Sequence, residues 1–213
     1  METSRNKILA RLKTAQDKRG EIEVPYPDFT SPIYHPLNDS LALEFKTNLE
    51  MIGGEVILCQ SKTEVSDSIL RICSEKQQDH LFCPNPELID LLNGSIIIHS
   101  EEVDFLNMNI GLTRCEFLVA HLGSVLISSE QISGRRLNVF PETHIVVANE
   151  SQLTDYLDHA LEKIQNKYKN NLPSLISNIT GPSRTADIEK TLVMGMHGPK
   201  SLIVIVSEES INN

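Results

Sequence analysis

The sequence predicts an α/β protein in which helices cover both faces of a parallel β-sheet. From about residue 39, helical patterns alternate with short apolar runs, which is typical of a parallel sheet buried on both faces. The chain has 213 residues, of which 40% are apolar and 23% charged. These values are close to those of globular proteins and exclude global disorder. The length fits one domain, with or without an appendage.

The first 37 residues differ from the rest of the chain. Residues 4–19 predict a helix capped by Ser4, with an apolar stripe at helical spacing that consists of Ile8, Leu9, Leu12 and Ala15. This stripe is too narrow to form a core, so we expect the helix to dock on the body or on a partner. Residues 21–36 contain four prolines and predict an extended linker. We therefore expect an N-terminal helix and linker at residues 1–37 and an α/β domain at residues 38–213.

The first half of this domain has clear local boundaries. Glycines 53 and 54 end a helix, Pro84 closes a strand, and Pro86 suits the first turn of another helix. The predicted helices are residues 39–52, 62–76 and 86–92, and the predicted strands are residues 55–59, 80–83 and 95–99.

The second half is richer in β-structure. Four β-rich runs separated by turn-prone stretches predict a small antiparallel addition beside the parallel sheet, and they lie at residues 110–113, 117–120, 124–128 and 144–148. A long amphipathic helix capped by Ser151 is predicted at residues 151–169, with Leu153, Leu157, Ala160, Leu161 and Ile164 on one face. Two further strands are predicted at residues 175–179 and 202–206.

Charge and cysteine content exclude several classes of function. The chain has 19 basic and 29 acidic residues, a net charge of −10, so nucleic acid and anionic membranes are poor candidates for its main partner. No run reaches the roughly 18–20 apolar residues of a membrane helix, and the start lacks a signal-peptide pattern. The four cysteines have no C-x-x-C spacing, which argues against a metal or iron–sulfur site in this chain. We expect reduced thiols and a cytoplasmic location.

The densest group of unusual residues lies between positions 179 and 189. A strand ends there, a Gly-Pro pair forces a turn, and a helix is predicted to start behind Ser183 or Thr185. The free N–H groups of a helix start attract anions, and Asp187 would contact a ligand hydroxyl or compensate the helix dipole. An ordinary capped helix is the alternative. The predicted ligand-binding residues here are Thr180, Gly181, Pro182, Ser183, Arg184 and Thr185.

A second tight loop follows at residues 194–199. Gly195, Gly198 and a proline surround His197, which suits a backbone that bends sharply or approaches a ligand closely. Because the pKa of histidine lies near neutrality, His197 is a candidate general base or ligand contact, with Asp187 as a second candidate catalytic residue. A purely structural loop histidine is the alternative. We include Gly195 and Gly198 in the predicted ligand site.

This C-terminal region resembles a known family signature, GPSRTADIEKTLVMGMHGP in this sequence. It is similar to the LUD-domain family, in the lactate utilization protein C (LutC/YkgG) branch, where a G-P-S-x-T-A-D-I-E block is followed by G-x-H-G-P and a final strand. Supporting matches are the basic N-terminal helix and the segment from Gly134 to Leu137. The resemblance is strong over residues 110–206 and looser before them.

The sequence departs from the family pattern after its central strand. The family usually has a stretch resembling G-x-T-x-A-d-x-A-I-A-E-T-G-T, which corresponds here to residues 111–124. His121 stands where the family has glutamate, and Leu122 stands where it has threonine. Gly123 and Ser124 keep the small turn and the hydroxyl, so we add both to the predicted ligand-binding residues.

The resemblance implies a fold like that of the NagB/RpiA/CoA-transferase group, a Rossmann-like and mostly parallel sheet with a small antiparallel addition. It also implies that the chain is a soluble component of an L-lactate utilization system. In such a system iron–sulfur partner proteins take part in the oxidation of lactate to pyruvate, and this chain itself holds no cofactor. In open α/β sheets, ligands bind outside the carboxyl ends of the strands, and we expect a small-anion cleft there.

Two other functions stay open. The chain could be a stand-alone enzyme on a fold like that of CoA transferases and sugar-phosphate isomerases, acting on a small anionic or phosphorylated metabolite. CoA transferases of this fold use a glutamate nucleophile, and no glutamate here has a comparable glycine-rich setting. The chain could also be an interaction module that assembles through its N-terminal helix. Whether it is an enzyme is therefore left open.

Overall fold

The computed structural model describes residues 3–18, 26–27, 30, 34, 36–37, 40–101, 109–186 and 192–211. The chain divides into two compact units, Met1–Pro36 and Leu37–Asn213. In the first unit, helix α1 spans Ser4–Lys18 and none of its residues is buried. That this helix docks on another surface stays a prediction. The predicted linker lies mostly outside the described residues.

The second unit alternates helices and strands. Its helices are α2 at Leu41–Met51, α3 at Lys62–Glu75, α4 at Pro86–Leu92 and α5 at Leu157–Tyr168. Its first six strands are β1 at Glu55–Cys59, β2 at His80–Phe82, β3 at Ile97–His99, β4 at Ile110–Arg114, β5 at Phe117–Val119 and β6 at Ser124–Ser128. The remaining strands are β7 at Thr143–Asn149, β8 at Leu153–Thr154, β9 at Ile176–Ile179, β10 at Arg184–Ala186, β11 at Leu192–Met194 and β12 at Ser201–Ser207.

A six-stranded parallel sheet forms the centre of this unit, in the order β1-β12-β7-β4-β2-β3. Strands β12 and β7 are neighbours in the interior of the sheet and are buried almost throughout, because each face of the sheet is covered. Along β12, Ile203 and Ile205 pack on one side while Leu202 and Val204 pack on the other. The predicted α/β class with a mostly parallel sheet is confirmed.

The two faces of the sheet carry different layers. Helices α3 and α4 pack their buried residues against one face. Helix α2 packs Phe45 and Leu49 against the other face, beside a four-stranded sheet in the order β8-β5-β6-β9. In this smaller sheet β5 and β6, and β6 and β9, pair antiparallel, whereas β5 and β8 pair parallel. Helix α5 covers its outer face with Ala160 and Ile164.

Two predictions for the second half of the chain need correction. Of the four β-rich runs expected in the antiparallel addition, those that became β4 and β7 instead run parallel inside the central sheet. The helix predicted from residue 151 begins only at Leu157. Residues before it form a short 3₁₀ turn, and Leu153 then pairs with Leu118 of β5, so strand pairing replaces the first helical turn. No helix in the described part of the chain is long and apolar enough to cross a membrane.

Candidate functional site

Ser183 joins the two loops that carry the sequence motifs. Its backbone N–H donates a hydrogen bond of 2.8 Å to the carbonyl of Pro199, and its carbonyl accepts one of 2.9 Å from the N–H of Gly195. Gly198 allows this close approach, because a Cβ there would lie 3.1 Å from the Cβ of Ser183. The structure therefore brings residues 181–183 and 195–199 together, although the sequence separates them.

The helix predicted to start behind Ser183 or Thr185 is absent at residues 184–186. Strand β10 occupies them and pairs antiparallel with β11, so that Arg184 faces Met194 and Thr185 faces Val193 in the register. The β-branched pair in the middle of this hairpin suits strands better than a helix. A helix at residues 184–186 is therefore wrong, whereas residues 187–191, which a helix behind Thr185 would occupy, lie outside the described residues. Asp187 lies outside the described residues.

The motif loops also do not lie at the carboxyl ends of parallel strands, where the cleft was expected. Strand β9, which leads into Gly181, belongs to the antiparallel sheet. Gly198 and Pro199 come shortly before Ser201, the amino end of β12. The carboxyl-end rule applies to open parallel sheets, and this region lies at the opposite end of that sheet.

A cleft of about 340 Å³ lies beside the joined loops. Its polar side chains come from Arg135, Asn138, Ser177, Ser183 and His197. Its apolar residues include Ile127, Val139, Leu175, Ile179 and Pro199. No acidic residue lines the cleft within the described part of the chain, although the whole chain carries a net charge of −10. The cleft therefore places one arginine and several hydrogen-bond donors together on an acidic protein, which favours an anion.

A short turn holds the arginine of this cleft. The Asn138 side chain is buried and donates a hydrogen bond of 2.8 Å from Nδ2 to the carbonyl of Gly134, which closes the turn around Arg135. Nη2 of Arg135 donates 2.7 Å to Oγ of Ser174. The carboxamide oxygen of Asn138 has no hydrogen-bond partner among the described residues. The guanidinium is thus anchored on one side and keeps further donors for a ligand.

Of the predicted ligand-binding residues, Gly181, Ser183, Gly198 and the candidate base His197 line this cleft. Arg184 does not line it, because its guanidinium lies beside Gly53, where a Cβ would be 3.3 Å from Nη2. The other predicted residues that do not line it are Thr180, Pro182, Thr185, Gly195, Gly123 and Ser124.

Gly123 has a packing role instead. Its φ is +58°, and a Cβ there would lie 2.2 Å from the backbone nitrogen of Leu49 in helix α2. Gly181 follows the same pattern at the end of that helix, with a φ of +81° and a Cβ position 3.2 Å from the carbonyl oxygen of Ile52. Both motif glycines thus let helix α2 approach closely. Ser124 is buried, and its hydroxyl has no partner among the described residues.

Sequence reasoning missed Arg135 and Asn138. The segment from Gly134 to Leu137 was noticed only as a family match, and a basic residue in a turn usually points into solvent. The one available signal was an arginine beside a glycine, shortly before a buried strand. His121, at the position where the resemblance leads us to expect glutamate, lies outside the cleft, and its ring centroid is 5.3 Å from that of Tyr156.

Glu116 is a buried carboxylate that does not line the cleft. It accepts hydrogen bonds from Oγ of Ser128 at 2.6 Å, Nζ of Lys167 at 2.7 Å and the hydroxyl of Tyr168 at 2.7 Å. Burial alone would raise its pKa, but these donors together lower the pKa below its ordinary value. Glu116 therefore ties helix α5 to the small sheet as an ionised group.

His144 is fully buried in β7, and its Nε2 lies 2.8 Å from Oγ1 of Thr113. Its Nδ1 has no partner among the described residues. Burial lowers the pKa of His144 to about 4, so the ring is neutral at pH 7.

Comparison with known proteins assigns part of the chain to a family. The family model described as LUD domain matches residues 99–207, just over half of the chain. Lactate utilization protein C of Bacillus subtilis (strain 168) is 37% identical over 103 residues, which are 47% of this chain and 43% of that protein. Lactate utilization protein C 1 of Bacillus mycoides (strain KBAB4) is 33% identical over 104 residues, 47% of this chain and 44% of that protein. The matches thus cover less than half the length of these curated relatives.

A solved structure resembles most of the fold. The crystal structure of a DUF162 family protein from Deinococcus radiodurans superposes with a TM-score of 0.61 at 19% identity, and the match covers 81% of this chain and 99% of that one. At this identity the likeness concerns the fold alone.

Proposed function

The chain belongs to the LUD domain family, and from this membership we propose that it is a component of an L-lactate utilization system. In this proposal the chain acts in the cytoplasm with iron–sulfur partner proteins that oxidise lactate to pyruvate. Its own contribution is the binding of an anion in the cleft beside residues 181–183 and 195–199.

One observation carries this proposal. The two motif loops lie inside the segment that matches the LUD domain model, and Ser183 joins them at a cleft that Arg135 and His197 line, with no acid among its described lining residues. Arginine pairs with carboxylates and phosphates through its planar set of donors, and the Ser183 hydroxyl offers a further donor. Relatives that match this same part of the chain are named lactate utilization protein C.

The cysteines of this chain do not suit an iron–sulfur cluster. All four are buried, and burial raises the pKa of Cys83 and of Cys115 to about 12. Cluster ligands are thiolates, which such surroundings disfavour. Cys115 also lies in a different core cluster from the other three. The proposal therefore assigns the electron carriers to the partner proteins.

Gene deletion and affinity purification test this proposal together. Cells that lack the gene should fail to grow on L-lactate as sole carbon source while growing normally on glucose, and the intact gene should restore growth. The tagged chain, purified anaerobically from lactate-grown cells, should carry iron–sulfur proteins that mass spectrometry identifies and that colour the sample brown. Normal growth of the deletion strain on L-lactate would contradict the proposal.

A further inference from the structure

The candidate cleft has a cationic part and an apolar part. Arg135 provides its cationic side chain, His197 adds an imidazole and Ser183 adds a hydroxyl. Val139, Leu175 and Ile179 line it with branched aliphatic side chains. A site for a purely polar anion needs only the first part, so the aliphatic residues point to a ligand with an apolar portion.

The size of the cleft also exceeds what lactate needs. Its volume of about 340 Å³ falls within the range of roughly 300–1,000 Å³ that holds ligands of drug size. Lactate offers only a carboxylate, a hydroxyl and a methyl group on one carbon. It would leave much of the aliphatic lining in contact with water, which is unfavourable.

Apolar side chains are also exposed at the edge of the cleft. Val139 lines the cleft and is 47% exposed, and Met196, the chain neighbour of the lining residue His197, is 61% exposed. Exposed apolar groups beside a cleft mark binding surfaces more often than scattered ones do. A ligand with an apolar body would cover Val139 and gain burial energy there.

We propose that this cleft binds an amphipathic anion larger than lactate, in which a carboxylate, sulfonate or phosphate head is joined to an apolar, ring-sized body. The head lies against Arg135 and His197, and the body lies against Val139, Leu175 and Ile179. This inference rests on the proposed function only in taking the cleft as the ligand site of the chain. Lactate is then the substrate of the assembled system and not the ligand of this cleft.

The turn around Arg135 makes the site specific for the charged head. Asn138 closes the turn through its bond to the Gly134 carbonyl, and Ser174 holds one guanidinium nitrogen. A preorganised guanidinium loses little entropy when an anion binds, so most of the head-group affinity depends on Arg135.

Fluorescence titration of the full chain with anilinonaphthalene sulfonate tests the proposal, since this probe is an anion on a naphthalene body. We expect saturable binding at one site, and binding at least tenfold weaker for phenylnaphthylamine, which has the same body without the sulfonate. Equal concentrations of L-lactate or inorganic phosphate should displace little of the probe. Displacement of most of the probe by an equal concentration of L-lactate, or equal binding of the neutral analogue, would overturn the proposal.

Matched variants locate the binding. Arg135→Gln should weaken probe binding about tenfold, because it removes the cation that contacts the sulfonate. Val139→Asp should also weaken binding, because it replaces an apolar contact of the naphthalene body with a charge. Arg71→Gln, a change of an exposed arginine on helix α3, should leave the binding unchanged. Probe binding by Arg135→Gln equal to that of the parent would overturn the assignment. Absence of probe binding together with growth that depends on the gene refutes this inference alone, whereas probe binding with normal growth of the deletion strain refutes the proposed function alone.

Discussion

Replacing Gly123 by alanine tests whether this motif glycine is required for helix α2 to pack closely against residues 120–123. The new Cβ would lie 2.2 Å from the nitrogen of Leu49 and 2.5 Å from the carbonyl carbon of Asn48. These are backbone atoms, so no side-chain rotation relieves the contact, and helix α2 has to move away. That movement weakens the bond of 2.9 Å from Nδ2 of Asn48 to the Ala120 carbonyl and loosens the packing of Phe45.

The magnitude follows from three contributions. A left-handed backbone costs alanine about 1–2 kcal/mol. Overpacking typically costs about 1–3 kcal/mol more. Loss of one hydrogen bond adds about 0.5–1.5 kcal/mol. We expect Gly123→Ala to lower the free energy of unfolding by about 2.5–6.5 kcal/mol, which corresponds to roughly 5–26 °C in Tm for a chain of this size.

Gly94→Ala is the matched control, because Gly94 also has a positive φ, +73°, but has nothing within 4 Å of its Cβ position. It should lose only the backbone contribution of about 1–2 kcal/mol. Urea unfolding of both variants, followed by circular dichroism, measures the difference. If the two free energies agree within about 0.5 kcal/mol, the seating of α2 on Gly123 is refuted.

Three further predictions concern buried groups and the cleft. Because burial lowers the pKa of His144 to about 4, the unfolded chain takes up a proton below the ordinary pKa of 6.5 while the folded chain does not. The free energy of unfolding should therefore fall by up to about 3 kcal/mol as the pH is lowered from 6.5 to about 4. In urea titrations, the His144→Gln variant should not show this fall. Lys167→Met should destabilise the fold by about 1–2 kcal/mol in the same assay, because it takes one charged partner from buried Glu116, and adding Glu116→Gln should recover part of the loss. Gly198→Ala should press on Ser183, weaken probe binding severalfold in fluorescence titrations and shift Tm by no more than about 2–4 °C.

Elements with local signals were predictable from sequence. Gly53 and Gly54 follow helix α2, Ser61 accepts a hydrogen bond from the Glu64 N–H at the start of α3, and Asn85 caps α4 in the same way. Each of these signals acts within a few residues, so the sequence alone contains it. Strand β1 and helix α4 accordingly have the predicted bounds.

Elements that depend on distant partners were not predictable. A serine, an arginine and a threonine after a Gly-Pro turn resemble a helix start, yet residues 184–186 form a strand because residues 192–194 pair with them. Leu153 likewise suits a helix by its spacing, but pairing with Leu118 holds it in β8. Tertiary pairing overrides local preference at both places.

The candidate site was predictable only in part. Gly181, Ser183, His197 and Gly198 belong to a dense motif, and the structure does bring them together at one cleft. Arg135 lies far from them in the sequence, and only the fold places it in their neighbourhood. The family resemblance includes the segment around Arg135, but nothing in the residues themselves shows that this side chain lies beside the motif.

The most direct test of the central claim is growth on L-lactate. The strain used has the chromosomal gene deleted and expresses the Arg135→Gln variant in its place. Arg135 is exposed and can be replaced without disturbing the core. We predict that this variant accumulates to the parental level with an unchanged Tm but does not restore growth, whereas Arg71→Gln restores it fully. Growth of the Arg135→Gln strain at the parental rate would contradict the claim that the cleft is the functional site.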